Sequence, residues 1–258
     1  MQWLTDGRIH VLFLVVLLRY LILAFIAFSI FYGIKRKAWA HKKIQPRFPQ
    51  NRDYLREIFY SLITSVIFTA IGYGLFMTPV RPYTQLYTRW EDFGTGYFIV
   101  SILIMLVVHD TYFYWTHRLM HHPKLFPVFH KVHHLSVNPS PWAAFAFHPL
   151  EAMIEAGIIV VIAFIMPVHP LAIALFLLIM MIYNVYGHIG YELYPKGFSR
   201  SRLGRWINTS VNHNQHHHYF TGNYGLYFLW WDRWMGTIRP DYDLQFDEAK
   251  NRTVQSTN

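Results

Sequence analysis

The sequence contains no cysteine. That excludes disulfides, zinc ribbons, iron–sulfur clusters and thiolate-ligated haem, so any metal must be held by nitrogen and oxygen. Charge is scarce as well: Asp, Glu, Lys and Arg make up 14% of the chain, against about 25% in a soluble domain. With 53% hydrophobic residues, 19% aromatic residues and a mean hydropathy of +0.19, the composition excludes a disordered chain, a collagen-like chain and an ordinary soluble enzyme. It points to a membrane protein. There is no internal repeat, no low-complexity tract and no G-x-G-x-x-G element after a strand. Residues 1–258 read as one membrane domain, with a polar tail over 247–258.

The long apolar runs supply the spans. Residues 11–31 are apolar except for Arg19 and a few small residues, and a helix over 10–32 would cover about 35 Å, enough for the hydrocarbon core. Arg19 costs about 3 kcal/mol on an insertion scale, whereas the Val, Leu, Ile and Phe residues together return about −6 kcal/mol, so the segment inserts. It is too long for a signal peptide, and Lys35, Arg36 and Lys37 follow in place of a small-residue cleavage site. Further apolar segments occupy 58–77, 97–108 continuing into 111–115, 152–166 and 171–186. The last two form a hairpin around 167–170 and are short, so the pair either crosses the membrane or dips into it and returns.

Basic residues orient the bundle, because positive loops stay cytoplasmic. Residues 33–57, 116–150 and 188–258 hold 19 Lys and Arg, whereas 1–9, 78–96 and 167–170 hold three. The N-terminus is therefore expected outside, and the histidine-rich segments at the cytoplasmic surface. The basic stretch 35–56, with Trp39 and Phe48 interleaved, reads as a juxtamembrane loop against anionic headgroups, not as a nucleic-acid site.

Fourteen of the 16 histidines lie between His109 and His218. His117 and His121 stand at i and i+4, one face of a helix, where both imidazoles can reach one ion. His130, His133 and His134 have i, i+3, i+4 spacing, and His213, His216 and His217 repeat it. Eight nitrogens exceed the three or four that one zinc uses, so the count suggests two metal ions. Imidazole ligands beside a membrane suit iron and dioxygen better than hydrolysis, which usually employs carboxylates.

The segments HDTYFYWTHRLMHH, FHKVHHLS, FHPLE, NVYGH, TSVNHNQHH and NYGLYFLWWDRWMGT resemble the successive motifs of the fatty acid hydroxylase superfamily, which includes sterol C5-desaturases. The resemblance covers about residues 105–238. It implies an all-α integral membrane protein with four to five membrane helices and a cytosolic histidine-rich helical cap. It also implies two Fe ions, O2 as co-substrate, oxidation of an unactivated C–H bond in a bilayer lipid, and electrons from an external donor. Carried over, it makes His117, His121, His130, His133, His134, His213, His216 and His217 ligands. Asn184 and His188 occupy its NxxxH element, with His188 a ninth ligand and Asn184 the tenth position, through a metal-bound water.

Ligating imidazoles are oriented by acceptors for their other N–H. Asp110, seven residues before His117 where the third span meets the cytoplasm, is the first candidate acceptor, and Glu151 a weaker one that also suits a helix N-terminus. His122 reads as terminal, and His218 lies one past the last triplet. His10, His41 and His169 should not bind the centre, whereas His109 and His148 lie near it. Aromatics including Tyr112, Trp115, Phe145, Phe147, Tyr224 and Trp231 suit an interfacial belt and in part an apolar tunnel to the metals.

The expected activity is a membrane lipid hydroxylase or desaturase acting on a sterol-like or fatty acyl substrate. A histidine-rich transition-metal transporter or sensor is the alternative, and a b-type cytochrome a third reading. The last two place ligands within the spans. The pairs beginning at His122, His148 and His169 are followed by no GG, so no fused cytochrome is expected. A ferredoxin, or a cytochrome with its reductase, would then deliver electrons, and Arg200, Arg202 and Arg205 offer a docking patch. The location implied is a multi-pass membrane protein, in the cell membrane if the source is bacterial.

Overall fold

The computed structural model describes residues 7–252. It is an all-α membrane protein: among the described residues there are no strands, only three isolated bridges. Four helices are long and apolar enough to cross a bilayer, over Gly7–Ile34, Asn51–Phe76, Gly94–Met120 and Pro170–His188. The first is α1 (Gly7–Phe28) with a π-helical extension to Ile34, and the others are α2, α3 and α7. Between α3 and α7 come the short α4 (Phe126–Phe129) and α5 (Lys131–His134), then α6 (Pro149–Ile165). At 17 residues, α6 is roughly 25 Å long. A short turn at 166–169 joins it to α7, as expected, but the two helices do not pack as a pair: α6 lies against α2 and α3, and α7 against α1 and α3.

Within lipid the hydrophobic effect does not drive helices together, so close packing and polar contacts must. Helix α2 supplies both. Glu57, Ser61, Thr64, Ser65 and Thr69 lie on one face and are all buried. The segment 58–77 is therefore not uniformly apolar. Its small hydroxyl residues donate to the carbonyls four residues earlier, Ser65 to Ser61 O and Thr69 to Ser65 O, and they leave room for close neighbours. One neighbour is a 3-10 turn at Pro141–Phe145, in which all five residues are buried. Tyr20 of α1 and Ser61 of α2 both donate to its Trp142 carbonyl, at 2.9 and 3.2 Å.

Outside the spans a cap folds over the ends of α3 and α7. It contains α8 (Ser210–Tyr219), α9 (Trp230–Trp234) and α10 (Tyr242–Asn251). Its small core joins Ile44, Val211, Leu229, Tyr242, Phe246 and Ala249, where water is present and apolar burial again stabilises at about 25 cal/mol per Å². Residues 247–251, expected in a polar tail, form the last turns of α10, held by buried Ala249 and by Lys250 donating to the Glu192 carbonyl at 3.1 Å. Residues 253–258 of that tail lie outside the described residues.

The histidines of the cap lie at one end of the bundle. The start of α1, the end of α2 and the α6–α7 turn lie at the other, where Leu86 bridges Val168. A chain without cysteine allows a clean test of sidedness: in intact cells an impermeant maleimide is expected to label Thr88→Cys and to leave Lys124→Cys untouched. Labelling of the second from outside would reverse the orientation drawn from the basic residues.

Candidate metal centre

Four elements aim imidazoles at one place. Helix α3 carries His117 in its last turn, with His121 just beyond; α5 and its preceding residue carry His130, His133 and His134; α7 ends on His188; α8 carries His213, His216 and His217. Helix α8 is a poor helix former by composition and is fixed at its ends. Thr209 caps it by accepting from Asn212 N at 3.2 Å, and Phe220 closes it in the left-handed region at φ 63°. A bulky residue is strained there. The turn continues through Gly222 at φ 77°, where a Cβ would meet the Thr237 carbonyl at 2.6 Å.

The imidazoles fall into two sets. His117, His121, His130, His134 and His216 form one, and His133, His188, His213 and His217 the other, each with its nitrogens within 4.8 Å of one another. In the first, His117 Nε2 lies 3.0 Å from His130 Nε2, and His134 Nε2 lies 3.1 and 3.0 Å from those of His121 and His216. In the second, His188 Nε2 is 3.1 Å from those of both His213 and His217. The structure thus brings together the nine histidines singled out in the sequence. It does not keep each HxxHH triplet as one chelate. Residues one apart are rotated by about 100° on a helix, so His133 and His134 face different sets, as do His216 and His217.

Six of the nine face an acceptor with Nδ1. His117 donates to Tyr224 O at 2.9 Å, His188 to Asn184 O at 2.7 Å, His216 to Gly222 O at 2.8 Å, His217 to Ser136 O at 3.0 Å and His133 to Ala146 O at 3.4 Å. His130 donates to Glu151 Oε1 at 2.6 Å. A proton fixed on Nδ1 leaves the lone pair on Nε2. Converging lone pairs at these distances repel one another, and only a cation between them satisfies the set. The residues therefore fit metal ions, one per set, with all-nitrogen ligation of the kind that iron, copper, nickel and zinc accept.

The acceptor roles differ from the sequence-based expectation. Asp110 does not face a histidine: Oδ1 accepts from the N–H groups of Tyr227 and Phe228, and Oδ2 from Trp230 Nε1 at 2.7 Å. Its place one helical face from His117 puts it under the 224–237 segment instead. Together with Asp232, which accepts from Tyr224 N and Gly225 N at 2.9 and 2.8 Å, it folds that segment so that Tyr224 O meets His117. Glu151 fills both roles weighed for it, accepting from His130 and capping α6 through His148 N at 3.4 Å. Glu57 escaped notice in the sequence. Ser136 Oγ donates to it at 2.7 Å and Ser140 Oγ donates to its second oxygen, which fixes the loop whose Ser136 carbonyl receives His217. Its signal was the buried register 57, 61, 65, 69.

Asn184 belongs to neither imidazole set by its side chain, whose Nδ2 donates to Ala144 O at 2.8 Å. It lines two small cavities of about 10 Å³, one with His213 and one with His109 and Glu155, each the size of a single water. His109 lies outside both sets, with Nδ1 2.9 Å from the Tyr227 hydroxyl. His148 and His169 cap α6 and α7, and His122 and His218 are exposed. His10 and His41 lie outside both sets. The ring of Tyr224 packs on His117, His121 and His216, while Phe113, Phe145 and Phe147 wall the cavity beneath.

A family model described as fatty acid hydroxylase matches residues 102–237, the stretch that holds all nine histidines. The chain is 32% identical, over 84% of its length, to a Delta(7)-sterol 5(6)-desaturase of Gibberella zeae and spans 65% of that protein. To another Delta(7)-sterol 5(6)-desaturase, of Aspergillus fumigatus, it is 32% identical over 89% of its length and 76% of the relative. To lathosterol oxidase of Homo sapiens it is 31% identical over 75% of its length and 64% of the relative. No solved structure matches the chain.

Removing the acceptor of His130 with Glu151→Leu is expected to weaken metal binding or activity by about 10–100-fold, with Glu151→Gln retaining more because its amide oxygen still accepts; equal behaviour of both variants and wild type would contradict the role. Burial, the largest cause, pushes His130, His133, His134, His213, His216 and His217 well below the ordinary 6.5. Below about pH 6.5 the unfolded chain then binds more protons than the folded one, so stability present above that pH is lost as pH falls. Metal-stripped protein should show a falling apparent unfolding temperature on acidification through this range, and a flat profile would contradict it.

Proposed function

The chain belongs to the fatty acid hydroxylase family, and we propose that it is a membrane lipid oxidoreductase that uses O2 to hydroxylate or desaturate a sterol-like or fatty acyl substrate. The observation that carries this reading is the pair of adjacent all-imidazole sets at one end of a membrane bundle. Two iron ions, one held by His117, His121, His130, His134 and His216 and the other by His133, His188, His213 and His217, would supply the activation of O2 against an unactivated C–H bond. The sterol desaturase names of the relatives favour a sterol-like lipid.

The chain's own residues prepare the site. Nδ1 donation to fixed carbonyls and to Glu151 holds His117, His130, His133, His188, His216 and His217 in one tautomer and one orientation, so these six need little reorganisation when metal or substrate arrives. Phe113, Phe145, Phe147, Met180 and Leu226 form the apolar part of the wall beneath the imidazoles, around a one-water cavity that His109, Glu155 and Asn184 also line. Asn184, beside a one-water cavity shared with His213, is placed to hold a water at the four-histidine set. Ligands gathered at the helix ends support this reading over a transporter, whose sites lie near the midplane.

The active site is taken to face the cytoplasm, from the 19 against 3 distribution of basic residues. Electrons would come from a ferredoxin, or a cytochrome with its reductase, at the same face. Arg200, Arg202 and Arg205 remain candidates for its docking, although Arg200 already pairs with Asp247 at 2.9 Å and Arg205 stacks on Trp206.

Comparison of lipid extracts by mass spectrometry, with and without the gene, is expected to reveal a lipid that gains one oxygen atom or loses two hydrogens. His133→Ala and His216→Ala should abolish that change and lower bound iron, whereas His41→Ala and His169→Ala should do neither. Full turnover in either of the first two variants would refute the assignment.

A further inference from the structure

At the end of the bundle away from the histidines, α1, α7 and the end of α2 enclose a cavity of about 350 Å³. Its wall is apolar, with Leu12, Val16, Phe76 and Ile173 among its residues, and two arginines, Arg19 and Arg81, also line it. No carboxylate lines it among the described residues. Arg19 Nε is buried without a hydrogen-bond partner, and neither arginine side chain has an ion pair or hydrogen bond among the described residues.

An arginine stays charged in any protein environment. Within a membrane such a group normally pairs with an acid, with carbonyls or with water, and otherwise marks a functional site. Arg19 lies 12 residues after Gly7, roughly 18 Å along α1, too deep for its buried Nε to be served by the surface. Helical side chains lean toward the N-terminus, which directs Arg19 toward the end where Arg81 stands. The protein offers two cations and an apolar wall but no anion. What completes such a site is an amphiphile with an acidic headgroup, since the guanidinium fork matches phosphate and carboxylate oxygens alike.

We propose that this cavity binds an anionic membrane lipid, its phosphate or carboxylate headgroup held between Arg19 and Arg81 and its acyl chain laid on the α1–α7 wall. The site is separate from the metal centre: Glu57 and Phe76 of α2, which mark the two ends, are 19 residues apart, roughly 28 Å along the helix. It does not depend on the reaction proposed above.

Native mass spectrometry of the purified full chain, titrated with phosphatidylglycerol, oleate and phosphatidylcholine, tests it. Phosphatidylglycerol or oleate should bind roughly tenfold or more tightly than phosphatidylcholine, the size of one charge-assisted contact. Arg19→Gln should erase that preference, Arg19→Lys should keep part of it, and Ala174→Phe, which fills the cavity, should weaken binding with both charges in place. A preference for phosphatidylglycerol alone identifies a phospholipid as the source of the acid, and one for oleate alone a free fatty acid. Equal binding of phosphatidylcholine would overturn the proposal, as would a preference unchanged in Arg19→Gln. If Arg19→Gln is not recovered monodisperse, Arg81→Gln in its exposed turn decides in the same way, with an unchanged preference contradicting the site.

Discussion

Nine imidazoles, eight of them buried and His121 partly so, turned so that their Nε2 atoms meet at 3.0–3.4 Å, are the constraint on which the rest of this structure depends. In an apolar interior such a cluster is unfavourable unless each Nδ1–H has an acceptor and each group of lone pairs has a cation. The surrounding chain serves the first requirement for six of the nine, while His134 Nδ1 stays buried without an acceptor. The loop after α5, the turn after α8 and the 224–237 segment each contribute a main-chain carbonyl to one histidine, and Glu151 contributes a carboxylate. Several polar groups remote from the centre act through these carbonyls: Glu57 through Ser136, and Asp110 with Asp232 through Tyr224.

The membrane sets where this can happen. Helix α3 carries His117 in its last turn with His121 just beyond it, and α7 ends on His188, so two spans deliver three ligands to the boundary and the segments between and after them bring in the others. The buried turn at Pro141–Phe145 sits between the spans beneath the imidazoles. It is held by Tyr20 and Ser61 on its Trp142 carbonyl, and it offers Ala144 O to Asn184.

Much of this was legible in the residues. Hydropathy located the four long spans, and i, i+4 spacing paired His117 with His121, His130 with His134 and His213 with His217, because it is a property of any helix. The exchange of His133 and His134 between two sets, and of His216 and His217, was not legible as a triplet pattern, since it depends on how α5 and α8 face each other across the centre. Asp110 was misassigned for a related reason. Helical phase placed it on the face of His117 but could not reveal that the Tyr227–Trp230 segment, more than a hundred residues on, would fold back to claim both oxygens. Glu151 shows the opposite case, where the local role at a helix start and the long-range role toward His130 coincide in one carboxylate.

The central claim is that the two imidazole sets each hold one iron. Iron quantification together with Mössbauer spectroscopy on the purified protein measures this most directly. The account predicts about two non-haem irons per chain in nitrogen-rich sites and no haem absorption. A single ion per chain, zinc in place of iron in catalytically active protein, or a haem spectrum would contradict it.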